Sequence, residues 1–182
     1  MANVKLFDKE FRLYIPDTEI FSAEKRIAED INIKFKDKNP LFISILNGSF
    51  MFATEVFKRI TLNDAEISFV KLSSYLGTSS TGKVKKIIGL KENIEGRYVI
   101  ILEDIIETGI TIKKSIELLK SKKPAGVYIA TLLLKPDKLK VPLNIDYTGF
   151  NISDNFIVGH GLDYNQRGRN FTNIYQEIQN DN

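Results

Sequence analysis

No cysteine occurs among the 182 residues, which excludes disulfides and thiolate metal centres. Histidine occurs once, so no multi-histidine metal site is possible. No apolar run reaches membrane-spanning length, and the opening stretch MANVKLFDKEF holds no apolar core of signal-peptide length. Together these absences predict a protein of a reducing cytoplasm with no membrane association. Neither G-x-x-x-x-G-K-[ST] nor G-x-G-x-x-G is found, which removes the P-loop and dinucleotide fingerprints. Charge of one sign is also scarce. With 26 basic and 23 acidic residues, the net charge of +3 is too small to demand a nucleic-acid partner. It still favours the approach of a polyanionic substrate.

What is present is an ordinary globular composition, 43% apolar and 27% charged, over a length that suits a single domain spanning residues 1–182. The stretch from Tyr98 to Leu119 organises it. Tyr98–Leu102 (YVIIL) reads as a parallel strand buried on both faces. It stops at two acids, Glu103 and Asp104. A third acid, Glu107, precedes Thr108, Gly109, Ile110 and Thr111, and from Ile112 to Lys120 the apolar residues recur at helical spacing.

That order has chemical consequences. Ligands of open α/β sheets sit beyond the carboxyl ends of the strands. The loop Glu107–Thr111 opens a helix whose first amides lack intrahelical partners and suit a phosphate. Gly109 permits close backbone approach, and Thr108 and Thr111 add hydroxyl donors. Glu103 and Asp104, as ionised carboxylates, are pure acceptors suited to the neighbouring hydroxyls of a ribose. A diol reader beside a phosphate cradle describes a ribose 5-phosphate site. Two plainer readings compete. One is a Walker-B-like magnesium site, which lacks its P-loop. The other is an ordinary capped helix with an acidic first turn, which leaves the two strand-end acids unexplained.

The flanking segments are consistent with alternating strands and helices. Residues from about Lys5 to Pro16 read as an edge strand or arm. Thr18 or Ser22 is placed to cap a helix running to about Lys38, with Ala23, Ile27, Ile31 and Phe35 forming one buried stripe. Leu41–Leu46 reads as a buried strand, Asn47-Gly48-Ser49 as a tight turn, and Phe50–Ile60 as a second helix. Ile67–Leu72 is a further strand. Ser73–Lys85, rich in Ser, Thr and Gly, reads as a mobile loop, and Lys86–Leu90 as the strand leading out of it. Val127–Leu134 is the next buried strand, ending at Lys135; taken alone, that lysine reads as a solvated cap. Gln176–Asn182 reads as a frayed polar tail.

VIILEDIIETGIT resembles the phosphoribosyl-pyrophosphate motif of the type I phosphoribosyltransferases, and the flanking segments resemble the hypoxanthine (hypoxanthine-guanine) branch. The resemblance covers roughly Leu41 to Asn170 in matching order. It implies a mostly parallel twisted sheet flanked by helices. Over it lies a small hood formed by terminal segments, approximately residues 136–182 plus the N-terminal arm. It also implies transfer of the 5-phosphoribosyl group from phosphoribosyl pyrophosphate to N9 of hypoxanthine, with guanine as a second base. Inosine or guanosine monophosphate and pyrophosphate would result, with Mg2+ as cofactor and a homodimer or homotetramer as the assembly.

Residue by residue, the resemblance implies the following. Glu103, Asp104 and Thr108–Thr111 bind the ribose and its 5-phosphate, and Glu107 is the general base. ILNGSF is similar to the family's L-K-G-S-F loop, so Leu46, Asn47 and Gly48 would meet pyrophosphate; a non-proline cis peptide is often found there. Asn47 replaces a lysine, which removes a charge and keeps the backbone donors. Glu107 replaces the branch's aspartate and reaches about 1.5 Å further. Ser74 and Tyr75 match the flexible loop, whose closing would exclude water. Lys135 would donate to a purine 6-oxygen, Phe156 would stack on the base, and Ile157 would offer backbone groups to its edge. Asp163 would contact magnesium along with Glu103 and Asp104, and Arg169 would grip pyrophosphate. His160 reads as a packing residue, and Tyr164 and Arg167 carry no assigned role. Two alternatives stay open. One is an RNA-binding regulator on the same fold, disfavoured because arginine is scarce and lysines are spread along the chain. The other is an enzyme preferring xanthine or guanine.

Overall fold

The computed structural model of the chain describes residues 3–74 and 84–179. The chain opens with strands β1 (Val4–Leu6) and β2 (Lys9–Ile15), then helix α1 (Asp17–Lys34), β3 (Leu41–Ile45) and α2 (Phe50–Phe57). It continues with β4 (Glu66–Ser74), β5 (Val84–Ile88), β6 (Tyr98–Ile106), α3 (Ile110–Lys120) and β7 (Gly126–Leu134). A 3-10 turn, Pro136–Lys138, leads to β8 (Tyr147–Asn151), β9 (Ile157–Val158) and β10 (Ile174–Glu177).

Among the described residues the main sheet has the order β5-β4-β3-β6-β7-β8, parallel except for the antiparallel pair β4–β5. β3 is buried at every position, as a strand covered on both faces must be. Its alternating side chains feed two cores. Phe42 joins Ile100, Leu102 and Ala130 beneath α1 and α2, whereas Leu41, Ile43 and Ile45 join Val99, Ile101 and Ile129 beneath α3. The predicted stripe Ala23, Ile27, Ile31 and Phe35 is buried throughout. No helix among the described residues is long and apolar enough to cross a membrane.

A second, four-stranded sheet of order β1-β2-β10-β9 is antiparallel and joins the two ends of the chain. This is the hood. Its residues Ile15, Ile157, Leu162 and Ile174 belong to the same buried cluster as Phe42 and Ile100. The hood is smaller than expected, because Tyr147–Asn151 lies in the main sheet as β8, beside β7, with Tyr147 and Phe150 packed on the core.

Several boundaries move. β6 does not stop at Glu103. It runs to Ile106, because β7 continues alongside it to Leu134 and Ile105 and Ile106 resume the apolar pattern. Helix α1 starts at Asp17, after Pro16 in an extended conformation and with no side-chain cap, and it ends at Lys34. Ser22 instead donates to the Thr18 carbonyl. Ser73 and Ser74, expected in a loop, pair with β5 through Lys86 and Val84. Tyr75 lies outside the described residues. Gln176 and Glu177, expected to fray, sit in β10 opposite Arg12 and Phe11.

His160 is buried as expected, although not in an apolar setting. Its Nε2 lies 2.7 Å from Glu24 Oε1, and its Nδ1 faces the Thr172 carbonyl at 3.2 Å. Glu24 and His160 are 1% and 5% exposed, so this pair ties α1 to the hood out of water. Burial pushes the Glu24 carboxyl up, and its hydrogen bond to His160 only partly offsets that. Glu24→Ala would leave the imidazole buried without its partner, a loss of about 3 kcal/mol. For a chain of this length the melting temperature would fall by about 6–12 °C. A thermal melt decides; a drop below about 2 °C would show that the pair contributes little.

Candidate active site

The carboxyl ends of β3, β6 and β7 come together, and everything of chemical interest lies beyond them. Beyond β3, the Leu46 amide donates to the Val70 carbonyl at 2.8 Å and so extends the pairing with β4. The peptide linking Leu46 to Asn47 is cis. Among the described residues the Asn47 and Gly48 amides donate to no protein group. Of the three expected pyrophosphate-facing residues, Leu46 therefore has no amide to offer.

Gly48 packs directly on Asp104. A Cβ added at Gly48 would fall 1.6 Å from Asp104 Oδ2, so any side chain there would displace the carboxylate. The hood closes on the same turn, with Gly161 against the Gly48 carbonyl. Arg169 Nη1 donates to the Gly161 carbonyl at 2.8 Å and its Nη2 meets Asp163 Oδ1 at 2.5 Å. The fold thus gathers Asn47, Gly48, Asp104, Asp163 and Arg169, which the chain spreads over more than a hundred residues.

Electrostatics mark the strand end. Burial raises the Asp104 carboxyl to about 6, against the opposing pull of backbone hydrogen bonds and the Arg169 guanidinium. Glu103 is raised well above the usual carboxylate range, by burial first and by the neighbouring Asp104 charge second. Its Oε2 is shielded from solvent and has no hydrogen-bond partner. Such an oxygen fits a ligand hydroxyl or a cation. Among the described residues no three acidic or histidine side chains converge to hold a metal alone. A few hard carboxylate oxygens, short of a full ligand cage, fit magnesium better than calcium.

Beyond β6, a cavity of about 190 Å³ is lined by Glu103, Glu107, Thr108, Gly109, Thr111 and neighbouring isoleucines. Gly109 has φ +73° and precedes α3 directly, a conformation only glycine adopts without cost. Thr108 sits ahead of it, its Oγ1 3.5 Å from the Ile110 amide. The cavity therefore lies over the start of α3, where the unpaired amides and the positive end of the helix favour an anion.

Beyond β7, Lys135 is 5% exposed, which rules out the solvated cap. Its Nζ lies 2.5 Å from Glu107 Oε1 and 3.2 Å from Asp154 Oδ1, and Lys138 Nζ reaches Asp154 at 2.5 Å. Two residues past Asp154, Phe156 presents a partly exposed ring, 6.0 Å from Phe11 and edge-on to Tyr164 at 5.6 Å. Ile157 is held in β9 opposite Gln176. Tyr164 also donates to Asp8 at 2.8 Å, and Arg167 lies over Phe7, so both serve the hood. Asp154 and Lys138 were invisible in the sequence. No spacing ties an acid in N-I-S-D-N-F to a lysine 19 residues earlier.

A family model described as the phosphoribosyl transferase domain matches residues 16–165. The hypoxanthine-guanine phosphoribosyltransferase of Streptococcus pyogenes serotype M3 is 41% identical over 160 residues, 87% of this chain and 88% of that one. A hypoxanthine phosphoribosyltransferase structure from Staphylococcus aureus superposes with a TM-score of 0.85 at 38% identity, covering 92% of this chain and 91% of the other. A hypoxanthine-guanine phosphoribosyltransferase structure from Bacillus anthracis, with a HEPES molecule in its active site, gives 0.84 at 35% identity, covering 92% and 97%.

Proposed function

The chain belongs to the phosphoribosyl transferase domain family, and from that premise we propose that it is a purine-salvage glycosyltransferase. It moves the 5-phosphoribosyl group of phosphoribosyl pyrophosphate to N9 of hypoxanthine, and of guanine, releasing pyrophosphate. The observation that carries this reading is the meeting of Glu107 and the buried Lys135 beside a cavity over the start of α3.

In this reading the 5-phosphate occupies that cavity, held by the first amides of α3 and the hydroxyls of Thr108 and Thr111. Glu103 and Asp104 accept hydrogen bonds from the ribose hydroxyls and turn C1′ toward the base. Asn47 and Gly48 amides and Arg169 face the pyrophosphate, where negative charge grows as the C1′–oxygen bond breaks. Glu103, Asp104 and Asp163 would be the residues to hold a magnesium ion brought in with the substrate, and that ion would supply neutralisation of the departing charge. Lys135 donates to the purine 6-oxygen, Phe156 covers the ring, and Ile157 lends its backbone to the base edge. As N9 forms its bond to C1′, the N7 proton passes to a carboxylate oxygen of Glu107.

A steady-state assay with hypoxanthine, guanine, xanthine and adenine, with and without magnesium, tests this. The 6-oxopurines hypoxanthine and guanine should be used and adenine should not, because a lysine ammonium can only donate and adenine offers an amino group at C6. Turnover of adenine with none of the 6-oxopurines would overturn the reading.

A further inference from the structure

Lys135 has three ammonium hydrogens, and the structure commits two of them to carboxylates, one on Glu107 and one on Asp154. The two partners are differently placed. Glu107 follows β6 and faces the phosphate cavity. Asp154 lies in the bend between β8 and β9, and Lys138 Nζ meets the same oxygen, Oδ1, at 2.5 Å. The Lys138 and Lys135 hydrogen bonds hold the Asp154 carboxyl below its usual range, so it stays ionised.

This inference rests on the roles given above to Lys135 and Glu107. During the reaction Glu107 must turn toward purine N7, and Lys135 must present a hydrogen to the 6-oxygen. An ammonium as buried as Lys135 is costly once its carboxylate swings away. With Asp154 in place the charge stays paired, the head group stays aimed, and the third hydrogen is free for the base. We infer that Asp154 is a positioning residue of the purine pocket. It keeps Lys135 paired and oriented while Glu107 engages the base, and Lys138 fixes Asp154 in turn. Recognition of the 6-oxygen thus depends on a chain of four side chains, Lys138, Asp154, Lys135 and Glu107.

The test compares D154N, D154E, K138M and K135M in full-length enzyme, with KM for each substrate, kcat and a thermal melt measured for each. D154N should raise KM for hypoxanthine about tenfold, the scale of one charge-assisted hydrogen bond. KM for phosphoribosyl pyrophosphate should stay within about twofold, and the melting temperature within about 2 °C. D154E should recover part of the loss, and K138M should show a smaller shift in the same direction. If K135M raises KM for hypoxanthine while D154N does not, Asp154 has no such role. If K135M leaves that KM unchanged, the assignment of Lys135 itself fails. A D154N enzyme that melts early, or whose two KM values rise together, would make Asp154 a structural residue only.

Discussion

Glu107→Gln should lower the single-turnover rate with hypoxanthine by about 10²-fold or more, the contribution expected of a positioned general base. Glutamine has the shape of glutamate and keeps a carbonyl oxygen for Lys135, whose Nζ lies 2.5 Å from Glu107 Oε1. What it loses is the capacity to take a proton. If N7 surrenders its proton to Glu107 as N9 attacks, the chemical step slows while binding of phosphoribosyl pyrophosphate is preserved. Rapid-quench measurement is the right readout, because slow product release masks chemistry in kcat. Glu107→Asp separates proton acceptance from reach. It keeps the carboxylate and draws it back by about 1.5 Å, so its rate should fall between those of wild type and Glu107→Gln. Near-normal single-turnover rates in Glu107→Gln would remove this residue from the chemistry.

The sequence made the sheet legible because parallel strands covered on both faces are written as apolar runs. Leu41–Ile45, Tyr98–Leu102 and Val127–Leu134 all lie within strands of the main sheet. Polarity, by contrast, does not mark where a strand ends. Glu103 and Asp104 stand inside β6, since pairing with β7 carries the backbone on to Ile106 whatever the side chains. The same held for the tail, where Gln176 and Glu177 are polar yet hydrogen-bonded between β2 and β9. In the site, the acids and the glycine loop could be read from their order along a strand, a loop and a helix. The partnerships could not. Lys135 with Asp154, Arg169 with Asp163, Gly161 against Gly48, and His160 with Glu24 across 136 residues all depend on how separate segments are brought together. Local periodicity carries no such information.

Asp104→Asn should make the free enzyme more stable and a poorer catalyst, and pH should separate the two effects. The carboxyl of Asp104 titrates at about 6 in the fold, against an ordinary value of 3.8. Between those values the folded chain binds a proton that the unfolded chain releases, so stability declines as pH rises through this window. The favourable contribution is complete below about pH 3.8 and is lost once pH passes about 6. A shift of about two units corresponds to about 3 kcal/mol at most. At pH 7.5 the uncharged asparagine avoids that cost, and the variant should melt higher by about 2–8 °C. At pH 4 the wild-type carboxyl is largely protonated in the fold, and the two melts should converge. Activity runs the other way. If Asp104 accepts from the ribose hydroxyls as proposed, exchanging its charge for a neutral amide should raise KM for phosphoribosyl pyrophosphate by about 10–100-fold. Burial also raises the neighbouring Glu103, whose Oε2 has no partner, so Glu103→Gln should likewise make the free enzyme more stable. Fold stability is thus given up to hold two half-buried carboxylates at the end of the strand, the usual trade at a functional site. A pH-independent gain in Asp104→Asn would assign the stabilisation to packing against Gly48 instead, and no gain at pH 7.5 would mean that the strand end bears no electrostatic cost.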